Sequence, residues 1–425
     1  MSGVTDVIDD LAWRGLIALS TDLDALREEL AKGPITYYCG FDPTAPSLHF
    51  GNLVQIITLR RLQLAGHRPL ALVGGATGLI GDPRPSAERT LNSRATVEQW
   101  VANIRRQIEP LLDFEGDSAA RMVNNLDWTE GLSALDFLRD IGKHFRVNRM
   151  LAKDAVSARL NSDTGISYTE FSYQILQGMD FLELYRRHGC RLQTGGSDQW
   201  GNLTAGTDLI HKVTGDSVHL LATPLITDSA GNKIGKSTGG GSVWLDPEMT
   251  SPYAFYQYFF NVEDAVVPQL LRILTFLDRD EIVALEKETA ERPAARAGQR
   301  RLAEEVTRLV HGEAETRQSI AASQALFGRG SLVDLTPATL RAALVEAGLT
   351  EVRAELPSVA ALFKEVGLAS SLGDARRTIA EGGAYVNNER VTDPEERIGP
   401  DRLLHGRWLV VRRGKRTVAG AELVA

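Results

Sequence analysis

The 425 residues predict an α/β chain: a doubly wound parallel sheet first, then a helical region, then a small terminal α/β module. Three observations carry this expectation. Continuous apolar runs such as LALV at residues 70–73 break at glycines, as strands buried on both faces of a parallel sheet do. These runs alternate with segments whose apolar residues recur at helical spacing. The pattern becomes wholly helical from Pro252, and strand-like runs return only in the C-terminal module. Strand–helix alternation with glycine-rich breaks describes a Rossmann-like sheet, in which ligands bind beyond the carboxyl ends of the strands.

The elements follow in order. Residues 35–41 read as a strand ending near Gly40, followed by the turn Asp42-Pro43-Thr44. Between 47 and 65, Leu48, Leu53, Ile56, Leu59 and Leu62 keep helical spacing, and Gly66 supplies the stop. Strands are expected at 70–73 and 121–124, with helices starting near Ser133 and Thr169. Residues 192–194 run into GGSDQWGN and a helix, and 220–226 lead into a turn at 228–232. Together these make a domain of residues 1–245. Helices at 266–277, 279–287 and 301–309 fill a second region, 246–328. Residues 329–357 are small, polar and mixed in pattern, which suits a linker. The module 358–425 reads as helices 359–366 and 372–381, the pair Gly382-Gly383, and strands 384–386 and 408–411.

Bulk properties narrow the function. A composition of 43% hydrophobic and 24% charged residues is that of a globular protein. No run of eighteen apolar residues and no secretory pattern at the N-terminus is present, so no membrane association is expected. Only Cys39 and Cys190 occur, too few for a disulfide framework or an all-cysteine zinc site, and the expected setting is cytoplasmic. The net charge of −8 argues against a nucleic-acid partner until its distribution is considered. From Ser358 onward eleven Lys/Arg stand against nine Asp/Glu, and Arg407, Arg412, Arg413, Lys415 and Arg416 concentrate the surplus.

Two segments carry the chemistry. Residues 46–52 (PSLHFGN) lie where a strand hands over to a helix, whose N-terminus offers unpaired N–H groups and partial positive charge to phosphate oxygens. Gly51 lets a ligand approach the backbone, while Thr44 and His49 can donate hydrogen bonds. Residues 233–237 (KIGKS) precede Thr238-Gly239-Gly240-Gly241, a stretch flexible enough for a lid. Lys233 and Lys236 can neutralise a developing pyrophosphate, and Ser237 adds a hydroxyl. Taken singly, each segment also reads as an ordinary helix start or a solvated basic loop. Cys39 reads equally as a small core residue and Asp198 as a helix cap.

With both segments present, the chain resembles the class I aminoacyl-tRNA synthetases: PSLHFGN is similar to their HIGH signature and KIGKS to their KMSKS signature. YCGFDPTAPSLHFGN (38–52), GGATGLIGDP (74–83), FSYQILQGMD (171–180) and QTGGSDQWGN (193–202) narrow the resemblance to the bacterial tyrosyl-tRNA synthetases, over nearly the whole chain. That resemblance implies a tyrosine–tRNA ligase using L-tyrosine, ATP with Mg2+ and tRNA(Tyr), with no tightly bound cofactor or protein metal site, acting as a homodimer. It further implies that Tyr38 and Asp180 hold the substrate phenol, and that Tyr173, Gln177 and Asp82 bind its ammonium group. Asp42 and Gln199 line the remaining amino-acid and adenylate contacts, beside Gly40. Cys39, Gly196 and Asp198 correspond to ribose contacts. Thr44 and His49 hold the terminal phosphate, with Gly51 and Asn52 on the ATP side and Arg89, Lys233, Lys236 and Ser237 arriving on loops.

These residue types make chemical sense independently. A carboxylate attacking the α-phosphate of ATP is already a nucleophile, so catalysis reduces to positioning and stabilisation of phosphate charge. The sequence departs from the family in three places. Asn52 stands where many members have a second histidine, the loop 83–89 is short and lacks the usual lysine, and Ile234-Gly235 replace the commoner Met and Ser. The tail resembles an S4-type RNA-binding domain, and the resemblance implies that Arg376, Arg377, Arg390 and Arg412 face tRNA phosphates. The region 252–327 is expected on the anticodon side.

Overall fold

The computed structural model describes residues 6–83, 90–161, 163, 165–235, 241–353 and 358–424. The chain divides into two compact units: Met1–Met249 with Glu263–Glu291, and Thr250–Val262 with Arg292–Ala425.

The first unit is built on six strands, β1 (Leu19–Ser20), β2 (Thr36–Phe41), β3 (Arg68–Val73), β4 (Arg121–Asn124), β5 (Cys190–Gly196) and β6 (His219–Thr223), in the order β1-β6-β5-β2-β3-β4. All pairs are parallel except β1 with β6. After Arg68 every residue of β3 is buried, and so is every residue of β6, the pattern that covering both faces with helices demands. The chain first moves from β2 through β3 to β4, then returns to lay β5 against the other side of β2. The order therefore reverses between β2 and β5, which opens a crevice at their carboxyl ends.

Local chemistry sets the helix ends around this crevice. The long helix Tyr168–His188 starts where the Ser167 hydroxyl accepts from the Glu170 N–H (3.3 Å), and stops at Gly189, whose φ of 62° is left-handed. Its inner face contributes Phe181, Leu182 and Leu184 to a core shared with Leu70, Leu72 and Leu220. Each such fully buried side chain contributes roughly 1.5–3 kcal/mol. The helix Phe50–Leu64 follows β2, and at its far end Arg61 donates to the Thr275 carbonyl, as Arg14 does to the carbonyls of Arg272, Thr275 and Leu277. Burial, with the neighbouring Arg14 charge, pushes the Arg61 guanidinium down to about 9. These two buried arginines tie the Val267–Leu274 helix into this unit.

The second unit pairs the Pro252–Phe260 helix with the long segment Ala297–Ala325, which breaks at Gly312 (φ 82°, ψ 172°). Its sheet holds β7 (Leu349–Arg353), β8 (Ala384–Val386), β9 (Glu389–Arg390), β10 (Trp408–Arg413) and β11 (Thr417–Val424), ordered β7-β11-β10-β8-β9. Asn387 and Asn388, both at positive φ (49° and 66°), form the two-residue turn between β8 and β9 that right-twisted hairpins favour. The helices Val359–Glu365 and Leu372–Ala380 cover one face through Val359, Leu362, Phe363 and Ile379.

Three expectations need correction. Residues 329–357, expected as a linker, contain the helix Pro337–Ala347 and β7, which pairs in parallel with β11. Their polar surface hides Leu340, Ala343 and Leu344, which are fully buried in a core with Leu326 and Val410. Second, the helical region 246–328 is divided: 246–249 and 263–291 belong with the large sheet, and 250–262 and 292–328 with the small one. Third, Arg412 is turned inward. It is only 7% exposed, with its guanidinium 4.1 Å from the Tyr385 ring centroid and one nitrogen donating to the Gly414 carbonyl (2.6 Å). It packs the sheet instead of facing solvent.

Candidate active site

At the β2/β5 switch point lies a cavity of about 440 Å³. The strand ends supply Tyr38, Cys39, Gly40 and Asp42 from β2 and its turn, and Gln193 to Gly196 from β5. The Tyr168–His188 helix adds Tyr173, Gln177 and Asp180, while the turn after β5 adds Asp198 and Gln199. Thr44, His49, Gly51, Asn52, Asp82 and Lys233 complete the wall from among the expected residues. Arg89, Lys236 and Ser237 lie outside the described residues, as does the short loop after Pro83.

One end of the cavity is acidic and buried. Asp180 is 1% exposed, and its two carboxylate oxygens accept from Asn125 Nδ2 and Trp128 Nε1, each at 2.9 Å. Burial nevertheless pushes its carboxyl up to about 7. Tyr38 is likewise 1% exposed, and among the described residues its hydroxyl has no hydrogen-bond partner. Burial, reinforced by the nearby Asp180 charge, raises its pKa well above the ordinary phenol value, so the hydroxyl keeps its proton. Asp42 accepts from Tyr173 Oη at 2.6 Å and from Thr77 Oγ1 at 2.7 Å. Gly74 lies so close that a β-carbon there would come within 2.1 Å of Asp42 Oδ1. Asp82 accepts from Asn202 Nδ2 at 3.1 Å and from Gln199 Nε2 at 3.4 Å. The buried Oε1 of Gln177 has no partner among the described residues.

The other end carries the cations. His49 begins the Phe50–Leu64 helix: its Nδ1 accepts from the Gly51 N–H, and its own N–H donates to Asn52 Oδ1, both at 3.0 Å. This reciprocal arrangement is a capping box, with Asn52 in the role usually filled by Glu or Gln. His49 opens to the cavity mouth, yet protein atoms crowd its ring; this desolvation, with the Lys233 charge, lowers its pKa. The neutral ring with Nδ1 as acceptor leaves Nε2–H as its donor. Backbone bonds bring the second segment here: Phe50 N–H donates to the Val243 carbonyl (3.0 Å), Leu245 N–H to the Leu48 carbonyl (2.9 Å) and Val243 N–H to the Gly235 carbonyl (2.8 Å). Gly235 sits at φ 108° against Phe50, where a β-carbon would come within 3.0 Å of the ring. Lys233 reaches Asp198 Oδ2 at 3.3 Å, an exposed pair of little intrinsic strength. Cys39 lines the cavity with a thiol that burial pushes up to about 12, so it is no nucleophile.

Sequence reading missed Asn125, Trp128 and Thr77, which hold Asp180 and Asp42. A signal existed: NNLDW follows directly on a strand end, where sheets of this type place polar side chains. In the second unit Arg376, Arg377 and Arg390 are exposed; Arg376 pairs with Glu395 at 2.9 Å.

Comparisons with known proteins agree with this geometry. The family model for class I tRNA synthetases (W and Y) matches residues 30–328, and a model for the tyrosine–tRNA ligase SYY-like C-terminal domain matches residues 339–419. A tyrosine–tRNA ligase of Streptomyces avermitilis is 65% identical over 421 residues, covering 99% of both chains. Among solved structures, a C-terminally truncated mitochondrial tyrosyl-tRNA synthetase of Coccidioides posadasii is 32% identical with a TM-score of 0.65, covering 74% of this chain and 91% of that one. A tyrosyl-tRNA synthetase of Archaeoglobus fulgidus complexed with L-tyrosine shares the fold at 15% identity and a TM-score of 0.55, covering 74% of this chain and all of that one.

Proposed function

Since this chain belongs to the class I tRNA synthetases of the tryptophan and tyrosine group, we infer that its cavity joins L-tyrosine to ATP as tyrosyl-adenylate and then transfers tyrosine to the 3′ end of its tRNA. The observation that carries the choice of substrate is the buried pair Tyr38 and Asp180. A hydroxyl without a partner and a carboxylate with lone pairs to spare are costly to bury, and a phenol hydroxyl satisfies both at once by accepting from one and donating to the other. A phenylalanine side chain satisfies neither.

The remaining roles follow from charge. The substrate ammonium group takes the acceptor-rich wall of Asp82, Gln177 and the Tyr173 hydroxyl, with Asp42 and Gln199 behind. Its carboxylate then lies toward the cationic end. There it attacks the α-phosphorus of ATP; the new C–O–P bond forms as the bond to the β-phosphate oxygen breaks, and pyrophosphate leaves with its electron pair. His49 Nε2–H, Thr44 and Lys233, beside the positive end of the helix dipole at Gly51 and Asn52, stabilise the charge gathering on the phosphates. Lys236, Ser237 and Arg89 are assigned the same task, and Cys39, Gly40, Gly196 and Asp198 the adenosine. ATP enters as its magnesium complex, the ion being held by triphosphate oxygens.

The second unit presents Arg376, Arg377 and Arg390 for tRNA phosphates. Leu135, Leu138, Val147, Leu160 and Tyr168, 46–79% exposed on one stretch of the first unit, suit burial against a second copy of the chain as a homodimer. The setting is the cytoplasm, in keeping with the two free cysteines; no helix among the described residues is long and apolar enough to cross a membrane. Tyrosine-dependent exchange of pyrophosphate into ATP tests the reading. Exchange with tyrosine, and neither tryptophan nor phenylalanine, is expected; exchange with tryptophan alone overturns the substrate, and none with any amino acid overturns the activity.

A further inference from the structure

Lys153 stands in the turn between the helices Val147–Leu151 and Asp154–Leu160, outside every segment given a role above. Its half-buried side chain reaches the start of the Trp200–Thr214 helix, where the ammonium donates to the Gly201 carbonyl at 2.5 Å and to Asn202 Oδ1 at 3.0 Å. Gly201 makes the room: a β-carbon there would come within 3.2 Å of Lys153 Cε. The placement is costly on two counts. A cation sits badly at the positive end of a helix dipole, and burial pushes the ammonium down to about 8 although the Asp82 charge pulls the other way. What the two bonds achieve is orientation. An ammonium can only donate, so it decides which way the Asn202 amide faces. Oδ1 turns to Lys153, and Nδ2 turns to the cavity wall, donating to Gln199 Oε1 at 2.9 Å and to Asp82 Oδ1 at 3.1 Å. With its oxygen engaged, Gln199 presents Nε2 to Asp82 Oδ2 at 3.4 Å. Each carboxylate oxygen of Asp82 thus faces an amide N–H, and both amides take their direction from one cation. Turned over, the Asn202 amide would set its own oxygen against two other acceptors, Asp82 Oδ1 and Gln199 Oε1.

Resting on the reading that Asp82 and Gln199 receive the amino-acid end of the substrate, we propose that Lys153 is a positioning residue for tyrosine: acting through Asn202, it holds the Asp82 carboxylate in place for the substrate ammonium group. The test is a double-mutant cycle in pyrophosphate exchange with K153M, N202A and the two combined, reading KM for tyrosine and KM for ATP. Lys153→Met keeps the length of the side chain and deletes its donors. Loss of the cation also strengthens the attraction of Asp82 for an ammonium group, so one variant alone mixes two opposed effects. The N202A background retains only the charge effect. Lys153→Met is expected to raise KM for tyrosine about threefold to tenfold more with Asn202 present than with it absent, as one hydrogen bond implies. KM for ATP should hold throughout. Equal effects in the two backgrounds, a matching rise in KM for ATP, or a defect confined to tRNA charging overturns the proposal. Lys153→Arg, which keeps donors and charge, guards against a folding artefact: it should restore most of the coupling to Asn202, and no restoration also overturns the proposal. Absence of exchange in the unmodified protein overturns the reading beneath the proposal, and the proposal with it.

Discussion

Tyr38→Phe should stabilise the free protein while weakening its use of tyrosine. The hydroxyl lies in the core of the first unit, 1% exposed and without a partner among the described residues, so the folded state bears its desolvation with nothing in return. Deleting it removes a penalty of about 1–3 kcal/mol and leaves a space of one oxygen atom. Thermal unfolding of the ligand-free variant should therefore shift upward. With tyrosine bound the same hydroxyl gains a partner, and its loss should raise KM for tyrosine about threefold to tenfold, the equivalent of ~0.5–1.5 kcal/mol. Discrimination against phenylalanine should fall by a similar factor, because the phenol of tyrosine then donates to Asp180 but receives nothing back. The assays are a melting curve without ligand and exchange kinetics with tyrosine and phenylalanine. A variant that melts lower and keeps its tyrosine-to-phenylalanine ratio would show Tyr38 to be a packing residue, and the phenol assignment would fall.

Other consequences are as direct. Burial raises the Asp180 carboxyl to about 7, so the native state holds this proton more tightly than the unfolded chain does. Its contribution to stability is complete below the ordinary carboxyl range near ~4 and is lost as pH rises from there through about 7. The ionised form is the better acceptor for a phenol, so KM for tyrosine should fall as pH rises through the same range; Asp180→Asn should flatten both profiles, and an unchanged KM profile in that variant would contradict the role. His49→Ala should cost about 0.5–2 kcal/mol of stability through the lost helix cap and lower kcat with little change in KM for tyrosine. His49→Asn should restore the cap and the stability but not kcat; recovery of kcat would mean that capping is all His49 does. Reversing the charge of Arg376, Arg377 and Arg390 together should weaken tRNA affinity and reduce the salt slope of binding by roughly 0.7–0.9 for each phosphate contact removed, leaving pyrophosphate exchange intact. Charging that continues normally in that variant removes the tail from the tRNA interface.

The large sheet was legible because its strands are continuous apolar runs that end at glycines, a pattern that two covered faces impose on β3 and β6. The polar side chains of the cavity were legible for a related reason: they fall at strand ends, where the topology gathers them. The second unit was harder. β11 (TVAGAELV) mixes small and charged residues, and β7 (LTEVR) alternates weakly because only Val352 is fully buried. Their pairing is non-local, with β7 lying parallel to β11 across some seventy residues, which no local pattern reports. Arg412 shows the same limit. Its position in a basic run suggested solvent, and only the tertiary structure places Tyr385 beneath its guanidinium. The partners of Asp180 were missed because a hydrogen bond from Trp128 or Asn125 depends on how β4 and the Tyr168–His188 helix meet. A consequence for design follows from β7: cutting the chain at residue 358 strips β11 from it, so the tail is better probed by point substitution than by truncation at that position.

The buried Tyr38–Asp180 end of the cavity is expected to select tyrosine for adenylation. Single-turnover incubation of the protein with ATP and an equimolar mixture of tyrosine, tryptophan and phenylalanine, followed by mass analysis of the protein-bound product, measures that selection. Tyrosyl-adenylate as the one adenylate recovered is the predicted result. Recovery of tryptophanyl- or phenylalanyl-adenylate in comparable amount, or of no adenylate, would contradict it.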